Sequence, residues 1–209
     1  MTPEEFAAAA DVSRETLDRL KAMDAVLLDW SSRHNLVARS TIETRWARHY
    51  LDSAQLVPLL PENTKTLADM GAGAGFPGLV LAAMLADRGV AVTLIESTGK
   101  KAAFLRAAGE AMGLADLKVI PARIEAVKLA PKPDIVTARA LARLDKLLAY
   151  GAGIADKNTR YFFLKGQDVE DELTEAAKSW HMRVIKHSSR TSPQGAILEI
   201  AELARVRNA

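Results

Sequence analysis

Apolar positions recur at two different spacings along the chain, and the change from one to the other divides it. In the first third, Leu17, Leu20, Met23, Leu27 and Trp30 keep three- and four-residue steps, the period of a helix with one buried face. Ser13 stands where it can cap that helix. Thr2-Pro3-Glu4-Glu5 has the form of an earlier helix start, with Thr2 as N-cap, Pro3 at the first helical position and Glu5 closing a capping box. The polar stretch Ser31-Ser-Arg-His-Asn35 interrupts the pattern. A third helix is expected from Ile42 to near Val57, ending at Pro58, and Pro61-Glu-Asn-Thr-Lys65 reads as a polar connector. Residues 1–64 are therefore expected to form a helical extension packed on the remainder of the chain.

From Leu67 onward short β-branched runs alternate with longer helical stretches. Strands are expected at 66–70, 90–96, 117–121, 134–138 and 160–165, and helices at 76–86, 100–112, 143–153 and 168–179. Strands separated by helices of that length pair in parallel through crossovers. The tail breaks the rhythm: 181–186 and 196–201 are strand-like, and only the polar loop Ser188 to Gly195 lies between them. Residues 65–209 are thus expected to form an α/β, Rossmann-like domain. Its seven-stranded, mostly parallel sheet would end in an antiparallel hairpin, the arrangement of class I S-adenosylmethionine-dependent methyltransferases and not the six parallel strands of a dehydrogenase.

The chemistry centres on one turn. Thr66-Leu-Ala-Asp69-Met-Gly71-Ala-Gly73-Ala-Gly75-Phe76-Pro77-Gly78 joins the first strand to the next helix, with Pro77 free to be that helix's first residue. A glycine turn of this kind aims a helix N-terminus at a bound small molecule. Gly73-x-Gly75-x-x-Gly78 also matches the dinucleotide fingerprint, which leaves a nicotinamide oxidoreductase as an alternative. Charge separates the two readings: Asp69 would face a pyrophosphate badly, whereas a carboxylate there suits the ammonium group of S-adenosylmethionine. Glu96, at the end of the next strand, is placed to accept both hydroxyls of a ribose. Ligands on such sheets bind beyond the carboxyl ends of the strands. That adds Arg123, Ile124 and Glu125 after the third strand, with Ile124 as an apolar face for an adenine and Glu125 near its amino edge, and Arg139 after the fourth, where substrate should meet the methyl group.

Composition narrows the field. With no cysteine there are no disulfides, thiolate metal sites or thiol nucleophiles, and the four histidines lack metal-ligand spacing, so no metal is expected. The longest uncharged run, Met70 to Ala86, is broken by glycines and too short to span a bilayer, which needs about 20 residues. The acidic start carries no signal-peptide pattern, so a cytoplasmic location without membrane association is expected. Net charge is only +2, yet its distribution is uneven. Residues 31–50 carry Arg33, Arg39, Arg45 and Arg48 against Glu43 alone, and Lys100, Lys101, Arg106, Lys118 and Arg123 flank the proposed cofactor turn. Such patches suit phosphate, which favours a nucleic-acid substrate over a small-molecule or protein one. A non-catalytic RNA-binding module lacks support, because aromatics are only 5% and no stacking motif is evident.

Several segments together resemble a known family. Asp29-Trp30-Ser-Ser-Arg-His-Asn35-Leu36, Arg48-His49-Tyr-Leu-Asp52-Ser53, the glycine block through Phe76-Pro77-Gly78, Thr137-Ala-Arg139-Ala and Leu164-Lys165-Gly166 are similar, in that order, to the bacterial small-subunit rRNA guanine-N7 methyltransferases, the glucose-inhibited division protein B family. The likeness spans roughly residues 25 to 200; Met70 and Glu96 depart slightly, standing where the family often shows another apolar residue and Asp. The resemblance implies methylation of one guanine of 16S rRNA (guanine 527, in the 530 loop) at N7, with Gly71, Phe76, Ile124, Glu125 and Arg139 contacting S-adenosylmethionine. It also implies 16S rRNA, a small ribosomal subunit or an assembly intermediate as partner; a monomer is expected. Arg45, His49, Lys100, Lys101, Arg106, Arg123 and Lys165 are then the candidates for RNA contact, and no residue is expected to act as a general base.

Overall fold

The computed structural model describes residues 1–206. Two helices open the chain, α1 (Pro3–Ala10) and α2 (Arg14–Arg33), and both start as their caps predict. The Thr2 hydroxyl accepts from the Glu5 N–H while Glu5 reaches back to the Thr2 N–H, and Ser13 accepts from the Thr16 N–H. Phe6, Leu20, Met23 and Leu27 join one buried cluster with Trp46, Tyr50, Leu67, Leu79 and Leu94, so the first helices share the core on one face of the sheet.

The helix expected from Ile42 to Val57 is not continuous. Its place is taken by a 3₁₀ turn (Arg39–Thr41), a π-helical segment (Trp46–Leu51), the short α3 (Asp52–Ala54) and a second 3₁₀ turn (Val57–Leu59) that contains Pro58 instead of stopping before it. Long-range partners explain the departure. Arg45 forms a bidentate pair with Asp24 of α2 (2.6 and 2.7 Å), and Trp46 and Tyr50 pack on Phe6 of α1 with ring centroids 5.3 and 6.3 Å away. The wider π-turn accommodates both contacts, a common use of such turns near functional sites.

The sheet follows the expected plan. Strands β1 (Thr66–Met70), β2 (Ala91–Ile95), β3 (Leu117–Ile120), β4 (Ile135–Arg139), β5 (Arg160–Lys165), β6 (Trp180–Ser188) and β7 (Ala196–Arg205) lie in the order β3-β2-β1-β4-β5-β7-β6. The first five pair in parallel, and β7 runs antiparallel to both β5 and β6. Helices α4 (Gly78–Leu85), α5 (Gly99–Ala111), α6 (Leu144–Ile154) and α7 (Val169–Ala177) make the connections. Successive strand residues serve opposite faces. Leu67 enters the cluster under α4 and α5, while Ala68 and Met70 enter the other, with Val136, Leu147, Leu148, Tyr161 and Phe163. Among the described residues no helix is long and apolar enough to cross a membrane, and no group of three or more His, Asp or Glu could hold a metal ion.

Candidate active site

Strand order reverses between β1 and β4, and the crevice expected there is present. A cavity of about 270 Å³ is lined from the carboxyl ends of four parallel strands. Gly71 and Gly73 come from β1, Glu96 and Ser97 from β2, Arg123, Ile124 and Glu125 from β3, and Ala140 and Leu141 from β4. Lys101 and Tyr150 complete the wall. Gly71, Gly73 and Gly75 all have positive φ, at 66°, 55° and 84°. The Gly73 N–H donates to Glu96 Oε2 (2.9 Å) and the Thr98 N–H to Glu96 Oε1 (2.7 Å), so this buried carboxylate ties the turn to the end of β2. Each oxygen keeps a second lone pair, which leaves the ribose-accepting role chemically open.

Asp69 is placed differently from the expectation. It is 1% exposed and does not line this cavity. Its Oδ1 accepts from the Thr137 hydroxyl (2.7 Å) across the switch point, and its Oδ2 from the Gly78 N–H (3.1 Å) at the start of α4. Pro77 therefore sits at the N-cap and not inside the helix, and the first helical N–H is satisfied by a remote carboxylate. Gly78 has no room for a side chain: a Cβ would lie 2.6 Å from Asp69 Oδ2 and 2.4 Å from Leu94.

Burial pushes the Asp69 carboxyl up to about 7, with the Thr137 hydroxyl, the Gly78 N–H and the Arg139 charge opposing the rise and Glu96 adding to it. A folded-state value above the unfolded one means that the fold favours the protonated acid. The associated stability is full below about pH 4 and is lost as pH rises to about 7. Asp69→Asn cannot ionise, and it keeps both contacts with its oxygen accepting from the Gly78 N–H and its NH₂ donating to the Thr137 hydroxyl, which turns from donor to acceptor. Wild-type stability relative to Asp69→Asn should therefore fall, by on the order of 4 kcal/mol, between pH 4 and 7 and then level off. Urea midpoints of the two proteins at several pH values measure this; parallel pH profiles would contradict it.

A second cleft, of about 390 Å³, adjoins the first at Ala140. Ala140 has a φ of 52°, rare for a residue with a Cβ. The cleft is walled by Arg48, His49, Asp52 and Gln55 from the N-terminal part, Arg139 and Lys165 from the sheet, and the loop between β6 and β7. Arg139 spans it: Nη1 donates to Asp52 Oδ2 (3.0 Å) and to the Arg48 carbonyl (3.2 Å), and Nη2 meets His49 Nδ1 (3.2 Å). Its guanidinium lies 5.2 Å from the Phe76 ring centroid, and His49 stacks on the same ring at 5.0 Å. Desolvation first, then the Arg139 charge, lowers His49 to about 4, so its ring is neutral at pH 7. Nδ1 can then accept from Arg139 while Nε2 donates to the Thr41 hydroxyl (2.9 Å).

The remaining expected residues divide. Arg123 lines the first cavity together with Lys101, while Lys100 and Arg106 are exposed on α5. Arg45 has its guanidinium engaged by Asp24, and Lys165 pairs with Glu172 (2.7 Å) and the Ala142 carbonyl (3.1 Å), so neither offers a free cation to phosphate. Phe76 is buried beneath Arg139 and His49, and Gly75 packs against Leu79; neither lines the first cavity. Sequence reasoning assigned no role to Asp52, Gln55, Thr191, Leu141 or Tyr150. For Asp52 a signal existed, in the Arg48-His49-x-x-Asp52 run.

A seven-stranded sheet with this order, and a glycine turn held at its switch point, define a Rossmann-like methyltransferase fold. Solved structures agree on the fold. An O-methyltransferase from Bacillus cereus in complex with SAH superposes with a TM-score of 0.59 at 16% identity, covering 87% of this chain and 90% of that one. A TehB-like SAM-dependent methyltransferase from Corynebacterium glutamicum gives 0.58 at 13% identity, over 85% and 98%. Sequence relatives are more specific. The family model described as GidB, rRNA small subunit methyltransferase G, matches residues 16–200. A ribosomal RNA small subunit methyltransferase G from Rhodospirillum rubrum is 48% identical over 98% of this chain and 100% of its own length, and one from Rhodospirillum centenum is 51% identical over 96% and 90%. The chain belongs to the rRNA small subunit methyltransferase G family. Membership sets aside the nicotinamide alternative left open by the glycine spacing.

Proposed function

We propose that this S-adenosylmethionine-dependent rRNA methyltransferase modifies N7 of one guanine of 16S rRNA, guanine 527 in the 530 loop, by direct in-line transfer. The observation that carries the reading is the pair of cavities meeting at Ala140. One carries the glycine turn and Glu96 and suits S-adenosylmethionine, with Ile124 and Glu125 toward an adenine. The other is faced by Arg139 and Arg48 and suits the nucleotide. The cofactor, when bound, supplies a methyl group activated by a sulfonium.

Guanine N7 carries an in-plane lone pair and has no proton to lose, so neither a general base nor a covalent intermediate is needed. The cleft is consistent with this, since both ring nitrogens of His49 are already hydrogen-bonded. Alignment is the main contribution left to the protein, worth ~7–11 kcal/mol in favourable cases. Arginine commonly recognises the O6/N7 edge of guanine, and the presence of Arg139 in the wall of this cleft supports it as the donor to O6. The substrate would be rRNA or an assembling small subunit in the cytoplasm, engaged by a monomer.

Incubation with labelled methyl donor and rRNA lacking the modification should place 7-methylguanosine at guanine 527; label at another nucleotide or atom would overturn the assignment. Charge reversal tests the RNA face. Lys101 lines the cofactor cavity, so the clean variant is Lys100→Glu with Arg106→Glu. RNA binding should weaken as salt rises with a log–log slope of about −0.7 per phosphate neutralised, and the variant should show a shallower slope at unchanged cofactor affinity. Equal slopes would remove this helix from the interface and leave Arg33 to Arg48.

A further inference from the structure

Asp52 is the only acid among the described residues that line the second cleft. A carboxylate beside a polyanion is unfavourable for binding, and this one is held in place from two directions. Oδ2 accepts from Arg139 Nη1 (3.0 Å), at the end of β4. Oδ1 accepts from the Thr191 hydroxyl (2.6 Å) and from Gln55 Nε2 (2.9 Å). Gln55 in turn receives the Arg190 N–H at its own carbonyl (2.8 Å), within the same β6–β7 loop as Thr191. One side chain thus joins the cation that faces the substrate to the loop forming the opposite wall.

We propose that Asp52 is a positioning residue: it aims Arg139 across the cleft and fixes the β6–β7 loop against it, so that the guanine enters a slot of set width. The inference rests on the reading of this cleft as the guanine site. Only a carboxylate fits the hub, because donors approach both oxygens. Asparagine can present its oxygen to Arg139 or to the Gln55 amide, and its NH₂ then faces a donor on the other side. The substitution changes hydrogen bonding while nearly conserving volume.

The test is a double-mutant cycle on the full-length protein. Asp52→Asn should lower kcat/KM for rRNA by about 10-fold or more, the loss falling mainly on kcat, because a mis-aimed group is a loss of alignment. S-adenosylhomocysteine affinity should stay close to wild type, and the melting temperature should fall only modestly, since this pair is partly reached by solvent. In an Arg139→Ala background the same substitution should change kcat/KM by less than about twofold, since partners in one network are non-additive. Thr191→Val removes one of the two links from Asp52 to the loop, that through Gln55 and the Arg190 N–H remaining, and should give a smaller loss. A readout independent of turnover is the rate at which phenylglyoxal modifies Arg139, which should rise several-fold in Asp52→Asn. Losses that multiply in the double variant, or an unchanged phenylglyoxal rate, would overturn the assignment. Failure of the wild-type protein to form 7-methylguanosine in the same assay would instead overturn the functional reading beneath it, and the phenylglyoxal result would still decide whether Asp52 holds Arg139.

Discussion

Replacing Arg139 with Ala is expected to lower kcat/KM for rRNA by about 100-fold, the size of effect that misplacement of a reacting group produces. Three of its contacts are to residues of the second cleft: Asp52, the Arg48 carbonyl and His49. Their loss leaves Asp52 without its counter-ion in a site where that side chain is only 18% exposed. Some loss of stability should accompany the loss of rate, below the ~3–5 kcal/mol of a fully buried broken pair because solvent still reaches this one. Arg139→Lys should recover the charge but not the two-pronged geometry, and so only part of the activity. The family resemblance implies that Arg139 contacts the cofactor, whereas its side chain faces the second cleft. Calorimetry with S-adenosylhomocysteine separates the two: affinity within about threefold of wild type is expected from this placement, and parallel loss of cofactor affinity would put Arg139 on the cofactor.

Gly73→Val is expected to abolish measurable cofactor binding, a loss of at least about 100-fold, or ~2.7 kcal/mol. Gly73 has a φ of 55°, a conformation that a β-branched residue adopts only with strain. A Cβ there would meet no protein atom closer than the Gly71 carbonyl at 3.7 Å, so the added methyl groups would occupy space in the cavity that Gly73 lines. The strain would also pull the Gly73 N–H from Glu96, loosening the join between the turn and β2. Gly73→Ala should be intermediate. Normal binding of S-adenosylhomocysteine by Gly73→Val would show that this loop does not hold the cofactor.

How far the sequence reveals the molecule depends on how local each determinant is. The strands and helices of the sheet are legible because each carries its own period, and β1 and β5 match the expected limits, 66–70 and 160–165. The hairpin strands extend further than expected because charged residues continue them: Arg183 pairs with Glu202 and His187 with Glu199 across the strands, and polar positions at an edge hide a strand's true length. The segment after residue 42 is misread for the opposite reason. Its local pattern is helical, and what breaks it is Asp24, about twenty residues earlier in the chain.

The same contrast separates the two cavities. The first is written largely in one contiguous motif plus strand ends, so most of its wall is readable. The second brings together residues 48–55, 139–140, 164–166 and 189–197, and the polar loop among them looks like a mere connector. Arg45, Lys165 and Asp69 show what charge alone conceals. Each is visible as an ionisable residue, but its partner, and hence whether it faces a ligand, is set by tertiary packing.

The Glu96 carboxylate has a further consequence, for the thermodynamics of cofactor binding. Three glycines of one turn are held at positive φ, and glycine loses more conformational freedom on ordering than any other residue. Because Glu96 fixes both Gly73 and Thr98 through the protein's own N–H groups, that loss of chain entropy belongs to folding and not to ligand binding. In the proposed site the cofactor would meet a loop already ordered. A chain without this clasp would have to order the turn at each binding event, and its affinity would fall through an unfavourable entropy even if every contact to the ligand were unchanged.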